Sequence, residues 1–279
     1  MNSKVKNHFV TTILLFTCTL IFGQTPKYTA AQDSIIETYL NNGAYKYHYT
    51  LQGWDDNINL ALKKDSTIAL LWQLKALPLW KSKKYEMALR CYDKAVLIDR
   101  AKYLGRRGYL KCIFQKDYKG AIADMEMAQK EFGYGFQNDH SYSFYISLCH
   151  LQLNEFEKAE LVLQIDLEKS MREHGENWIS FLNLFYAGVI QYELKNYDKA
   201  ITYFNKSLKI YSNFSDAKYY KGLCLLQKGD KSGAEALMRE AKTNFEQGYT
   251  INEDDAFYEV YPYKVNWYTA KWTIPNYKE

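Results

Sequence analysis

One short pattern recurs five times in this chain of 279 residues, and it limits the chain to a small set of folds. The copies are Tyr85-Glu-Met-Ala88, Tyr118-Lys-Gly-Ala121, Phe156-Glu-Lys-Ala159, Tyr197-Asp-Lys-Ala200 and Lys231-Ser-Gly-Ala234. Their alanines are 33, 38, 41 and 34 residues apart. A period near 34 with loop insertions marks stacked helix pairs, in which each pair covers the apolar face of the next.

Every copy continues in the same way. Four residues after the alanine stands a large apolar side chain: Tyr92, Met125, Leu163, Phe204 and Met238. Seven after it the residue is small (Ala95, Ala128, Ser207, Ala241), with Asp166 as the exception. Spacings of three, four and seven lie on one helix face. Twelve or thirteen positions upstream comes another small residue, Ala76, Gly108, Ser147, Gly188 or Gly222, within a second apolar segment. The small residues predict close helix approach, with the large side chain filling the gap beside them. Short polar turns join the two helices, and the turn Gln115-Lys116-Asp117 is one residue longer than the others.

On these residues the chain resembles the tetratricopeptide repeat family over about residues 44–245, most strongly in 184–211 and 216–242. Tyr186-Ala187-Gly188, Tyr192, Tyr197, Ala200, Phe204 and Leu208 follow the family pattern. The resemblance implies an all-α, right-handed superhelical solenoid of about six helix pairs spanning 25–247. The first pair is degenerate, with Trp54, Ile58 and Ala61 on its second helix and Asp65 closing it. Pro78 falls inside the first helix of its pair and should kink or shorten it. The segment 165–180 reads as an insertion rich in Glu and Lys.

The ends of the chain depart from the repeat. Lys4 and Lys6 precede an apolar stretch from Phe9 to Phe22, followed by Gly23-Gln24. This order is that of a secretory signal over residues 1–24, cleaved near Gly23. The stretch has 14 residues, four of them threonine, and a spanning helix needs about 20. An uncleaved anchor is the alternative, and Cys18 makes a poor lipidation site behind bulky Thr17. The segment 248–279 is dense in Tyr and Trp and carries Pro262 and Pro275. It reads as a cap over the last helix pair, or else as a docking segment.

Net charge is +4, and removal of Lys4 and Lys6 would leave +2, so nothing global favours nucleic acid or membrane surfaces. Locally, residues 81–120 hold twelve Lys/Arg and four acids, and 121–180 hold four and eleven. This implies pairing between neighbouring helices, or a basic patch of Arg100, Lys102, Arg106, Arg107 and Lys111 facing an acidic partner. Cys91, Cys112, Cys149 and Cys224 lie among apolar neighbours and read as core residues. Cys91 and Cys112, on helices expected to be adjacent, are the one candidate disulfide.

The motifs of chemistry are missing: no HExxH, GxSxG or phosphate loop, and no metal-ligand spacing. Asp139-His140 reads as a helix start with Asp139 as cap. Asn252-Glu-Asp-Asp255 lacks the spacing of a calcium loop. No cofactor or metal is expected, and the reading is non-enzymatic.

In the resembled family the first helix of each pair lines a concave face. The matching positions here are Gln73, Trp80, Tyr109, Phe144, Phe185, Tyr192 and Tyr219. They lack the lysines, arginines and asparagines with which some family members grip a terminal carboxylate. What they imply is an aromatic groove for a helix or extended peptide, unless these side chains are core or the chain's own tail fills the groove. The expectation is an exported scaffold for a protein or peptide partner in the cell envelope. The alternative is a receptor for a glycan or small molecule, using platforms such as Trp80 and Tyr192.

Overall fold

Two residues before each of the five repeated helices, the backbone turns left-handed, and this stops one helix and aims the next. Lys83, Lys116, Asn154 and Lys195 have φ of 61, 62, 57 and 62°, and Gly229 has 87°. The computed structural model describes residues 28–277; the signal-like segment 1–24 lies outside them. After the turns come α4 (Tyr85–Ile98), α6 (Tyr118–Phe132), α8 (Phe156–His174), α10 (Tyr197–Ile210) and α12 (Lys231–Glu246). Before them come α3 (Ala69–Lys81), α5 (Arg100–Leu110), α7 (Tyr142–Gln152), α9 (Phe181–Glu193) and α11 (Ser215–Gln227). A sixth pair precedes these, α1 (Ala30–Ile36) with its π-helical continuation Glu37–Asn41, and α2 (Gln52–Lys64). In α2, Trp54, Ile58 and Ala61 are buried, and Asp65 follows the last turn.

The recurring alanines are fully buried, and the small residues upstream permit the close approach within each pair. A Cβ added to Gly188 would stand 2.5 Å from Phe204 Cε1, and one on Gly222 2.5 Å from Met238 Cγ. Ser147 and Ser207 use the same closeness differently. Their hydroxyls donate to Ala159 O at 3.0 Å and Phe181 O at 2.8 Å, so neither small polar side chain is buried without a partner.

Three local expectations are amended. The helix α3 continues past Pro78 to Lys81. Proline cannot donate to the carbonyl four residues back, that of Leu74. Trp54 Nε1 donates to that oxygen instead, at 3.2 Å. The cap of α7 is Ser141, whose hydroxyl accepts from Phe144 N at 3.0 Å. Asp139 sits in the hairpin between β1 (Phe136–Gln137) and β2 (His140–Ser141), where Gln137 pairs with His140. Finally, the four cysteines among the described residues are free and buried. The Cys112 neighbour is Cys149, whose thiol pKa is raised well above its usual value by burial first and then by the hydrogen bond to Cys112.

The extra residue in the third turn has a specific place. In the other four turns the residue before the helix donates its amide to the carbonyl five positions back, as Lys84 does to Leu79. Asp117 donates to Lys111, six back, because α5 ends in a π-helical turn over Lys111–Gln115. The π turn absorbs the insertion.

Candidate partner-binding groove

The first helices of successive pairs, α3, α5, α7, α9 and α11, lie side by side and form one face. The chain's own C-terminal segment runs along it. From Ile251 the segment leaves α11, reaches α3 and α4 at Asp255–Glu259, and returns to α11 at Val265. One carboxylate closes the loop at its base: Asp216 Oδ2 accepts from Ile251 N at 3.1 Å and Thr250 Oγ1 at 2.7 Å, and its Oδ1 accepts from Val265 N at 2.7 Å. Lys264 Nζ donates to Ile251 O at 2.7 Å across the same neck. Burial raises the Asp216 pKa, against the lowering effect of these bonds, led by that from Val265 N.

Side chains from several elements along the face hold the loop. Lys81 Nζ lies 2.7 Å from Asp255 Oδ1 and 3.6 Å from the centre of the Tyr258 ring. The Tyr85 hydroxyl donates to Glu259. Tyr109 donates to Asp254 O at 3.3 Å and Asp255 Oδ2 at 3.2 Å. Lys116 Nζ donates to Val260 O at 2.9 Å, and His140 Nε2 is 2.8 Å from Glu253 Oε2. The Tyr186 hydroxyl donates to Pro262 O at 2.7 Å. Tyr261, fully buried, enters the solenoid core with Ile251. Burial raises the phenol pKa values of Tyr109, Tyr145, Tyr186 and Tyr261. The acidic run Asn252–Asp255 is thus held by His140, Lys81 and Tyr109.

Beyond Val265 the segment covers the last pair. Trp267 Nε1 donates to Ser215 Oγ at 3.2 Å, and its ring meets that of Tyr219 edge-on at 5.3 Å. Val265, Trp267, Ala270 and Ile274 form a small core with Met238 and Ala241.

The seven aromatic and amide positions fall under this segment or behind it. Phe144 and Phe185 have no exposed surface, and Trp80, Tyr109 and Tyr219 are buried. Gln73 and Tyr192 are half-buried. Trp80 and Gln73 line a small cavity of about 70 Å³ with Arg106 and Asp255. Trp80 Nε1 there has no hydrogen-bond partner among the described residues.

The basic cluster is largely paired within α5–α6. Arg107 forms a fork to Asp124 at 2.6 and 2.7 Å and reaches Asp93 at 2.7 Å. Lys111 Nζ is 2.8 Å from Asp124, and Arg100 Nε is 2.6 Å from Glu131. Lys102 sits 4.9 Å over the Tyr103 ring. Arg106 is half-buried beside Tyr92, where it lowers a phenol pKa that burial raises.

Of the residues that hold the loop, the sequence pattern singled out Tyr109 and missed most of the others. In the sequence Tyr85 opens a repeat block, Lys116 sits in a turn and His140 beside a helix start, and nothing there marks Asp216 or Lys81. Their common role depends on a segment distant in sequence.

Helix pairs stacked on buried alanines, with the last pair covered by the C-terminal segment, define a helical-repeat solenoid. The chain is a tetratricopeptide repeat protein: models of that repeat match residues 69–102, 181–214 and 211–249, which cover the pairs α3–α4, α9–α10 and α11–α12. Among solved structures, it is similar to a tetratricopeptide repeat protein from Parabacteroides merdae ATCC 43184, at 15% identity and TM-score 0.60, over 77% of this chain and 80% of that one. It is also similar to PilW, a type IV pilus biogenesis factor, at 15% identity and TM-score 0.59, over 78% and 96% of the two chains. A third likeness is to pilF of Pseudomonas aeruginosa, at 18% identity and TM-score 0.55, over 78% and 95%. At these identities the likeness is one of fold. No curated protein matches the sequence.

Proposed function

We propose that this protein is an exported, non-enzymatic scaffold that holds a protein or peptide partner in the cell envelope. The observation that carries the reading is a repeat solenoid whose core is complete, yet which keeps large apolar side chains in solvent. Phe257, at the far end of the groove loop, is 93% exposed, and Val260 beside it is also exposed. Isolated apolar residues on a surface are ordinary, but such side chains at the mouth of a groove suit a partner interface.

The state of the reactive side chains supports a non-enzymatic role. Burial is the main cause that raises the thiol pKa of Cys91, Cys149 and Cys224, which disfavours the thiolate a nucleophile needs. His140 and His150 are each committed to a carboxylate, Glu253 and Glu155. Export rests on the order of charge, apolar core and small residue in 1–24. Among the described residues no helix is long and apolar enough to cross a membrane.

On this reading a partner arriving at the concave face meets the outer edge of the loop rather than the aromatic side chains beneath it. Photo-cross-linking from position 257 of the full chain in its native host tests the proposal. One recurrent protein adduct, confirmed by reciprocal capture, is expected; adducts confined to the chain itself count against it. Mass analysis of the chain from envelope fractions tests export, with a start just beyond Gly23 expected.

A further inference from the structure

The helix α8 breaks the repeat's dimensions, and a cleft results. It has 19 residues, whereas α4 and α10 each have 14. Gly175 then ends it at φ 84°, and a short 3-10 turn over Glu176–Trp178 leads into α9. The extra turns and their return leave a gap of about 670 Å³ between the C-terminal ends of α8 and α10, within the range of ligand and anchor-residue pockets. Phe181 and Leu184 of α9 form part of its lining.

The cleft has apolar walls that no other part of the described chain covers. Met171, Trp178 and Ile210 are 51%, 59% and 56% exposed. Three large apolar side chains converging in solvent on one concavity differ from scattered exposed residues, which need no explanation. The Trp178 indole is positioned by the His174 ring, 4.7 Å away.

The charge around these walls is mainly positive. Lys206 and Lys209, both exposed and three residues apart on α10, line the cleft. Neither forms an ion pair among the described residues, and Lys206 lies 5.8 Å from the centre of the Tyr203 ring. The N-terminus of α9, capped by Ser180, adds partial positive charge at the same place. The one acid on the lining is Glu176.

We infer that this cleft, outside the concave groove, receives an acidic amphipathic helical segment of a protein partner. Its apolar face enters between Met171, Trp178 and Ile210, and its carboxylates meet Lys206 and Lys209. The inference rests on the scaffold reading and gives it a site and a partner chemistry. A helix laid in a groove between two helices is an established mode of recognition, and electrostatic complementarity sets which helix is accepted.

The test uses the full chain and three probes: a helical peptide with leucine on one face and glutamate on the other, the same peptide with lysine in place of glutamate, and dodecanoate. Anisotropy of the labelled peptides is read against wild type, W178A and K206E/K209E. The glutamate peptide should bind wild type saturably, and weaken about tenfold or more in K206E/K209E, as expected for loss of two complementary charges. W178A should weaken it further without changing its preference over the lysine peptide. K206E/K209E should reverse that preference, a result that general unfolding would not produce. Equal binding of both peptides, no saturable binding, or a rise in melting temperature with dodecanoate but with neither peptide overturns the inference. Partner cross-links from position 257 that persist in K206E/K209E sink this site alone; their absence in wild type sinks the scaffold reading instead.

Discussion

Asp216 accepts the amide hydrogen of Val265 at 2.7 Å while its second oxygen accepts that of Ile251, so one buried side chain holds both ends of the loop that fills the groove. An acid in the first turn of α11 thereby determines what the concave face presents. Asp216→Ala would strand two buried amide hydrogens and the Thr250 hydroxyl. The expected loss is about 2–4 kcal/mol, since each buried unsatisfied group costs roughly 1–3 kcal/mol and such costs overlap. Asp216→Asn turns one acceptor into a donor facing an amide hydrogen and is expected to cost nearly as much. Urea denaturation measures the loss, and limited proteolysis should show cleavage between 251 and 265 in both variants. An unchanged midpoint with a protected loop would refute the clasp.

Trp54 and Pro78 form a second testable pair. Trp54→Phe removes the donor to Leu74 O and should cost about 1–2 kcal/mol, the typical penalty for an orphaned buried carbonyl. Pro78→Ala supplies a backbone N–H that can take the same oxygen. The Trp54→Phe penalty should therefore shrink in the Pro78→Ala background, and a double-mutant cycle reads this coupling directly. Additive effects would mean the indole serves packing alone.

Gly188 faces Phe204 with no room for a methyl group. Gly188→Ala should destabilise by about 1–3 kcal/mol, as overpacking of a filled core does. Adding Phe204→Leu opens space at that contact, so the double variant should lose less than the sum of the two singles. Thermal or chemical unfolding of the four proteins checks it.

The buried phenols predict alkaline behaviour. Burial raises the pKa values of Tyr109, Tyr145, Tyr186 and Tyr261 in the folded protein. A raised folded value means the contribution to stability is complete below the unfolded value, near 10, and is lost as pH climbs above it. These phenols should ionise together with the loss of helical circular dichroism, seen as a steep rise in absorbance at 295 nm. Smooth titration near pH 10 with the helices intact would contradict their burial under the loop.

The basic stretch also has an outcome to check. Arg107→Ala removes the fork to the buried Asp124 and leaves that carboxylate to Lys111, so it should cost about 1–3 kcal/mol. Arg100→Ala, at an exposed pair, should change stability little. Denaturation midpoints separate the two.

The pattern of alanines, large apolar side chains and small residues was enough to locate the helix pairs, because those features act within one or two turns and between adjacent helices. It also located the degenerate first pair through Trp54, Ile58 and Ala61. The polar turns were legible for the same reason: each needs one left-handed residue between two helices. Less of the site could be read. Trp80, Tyr109, Phe144 and Phe185 sit at positions where an aromatic serves a groove or a core equally well, and the side-chain pattern is the same in both cases. Asp139 and Ser141 compete for the same helix start, and the pairing of Gln137 with His140 decides between them. Pro78 conflicts with its helix locally, and the relief comes from an indole on another helix.

Local periodicity, then, determined the repeated hairpins and their order along the chain, since helix formation and neighbour packing depend on residues close in sequence. Tertiary structure alone decided what occupies the concave face, which acid is buried, and where a cleft stays open. Those outcomes depend on contacts between positions such as Lys81 and Asp255, whose meeting requires the whole solenoid to be built first. No spacing within either segment records that meeting.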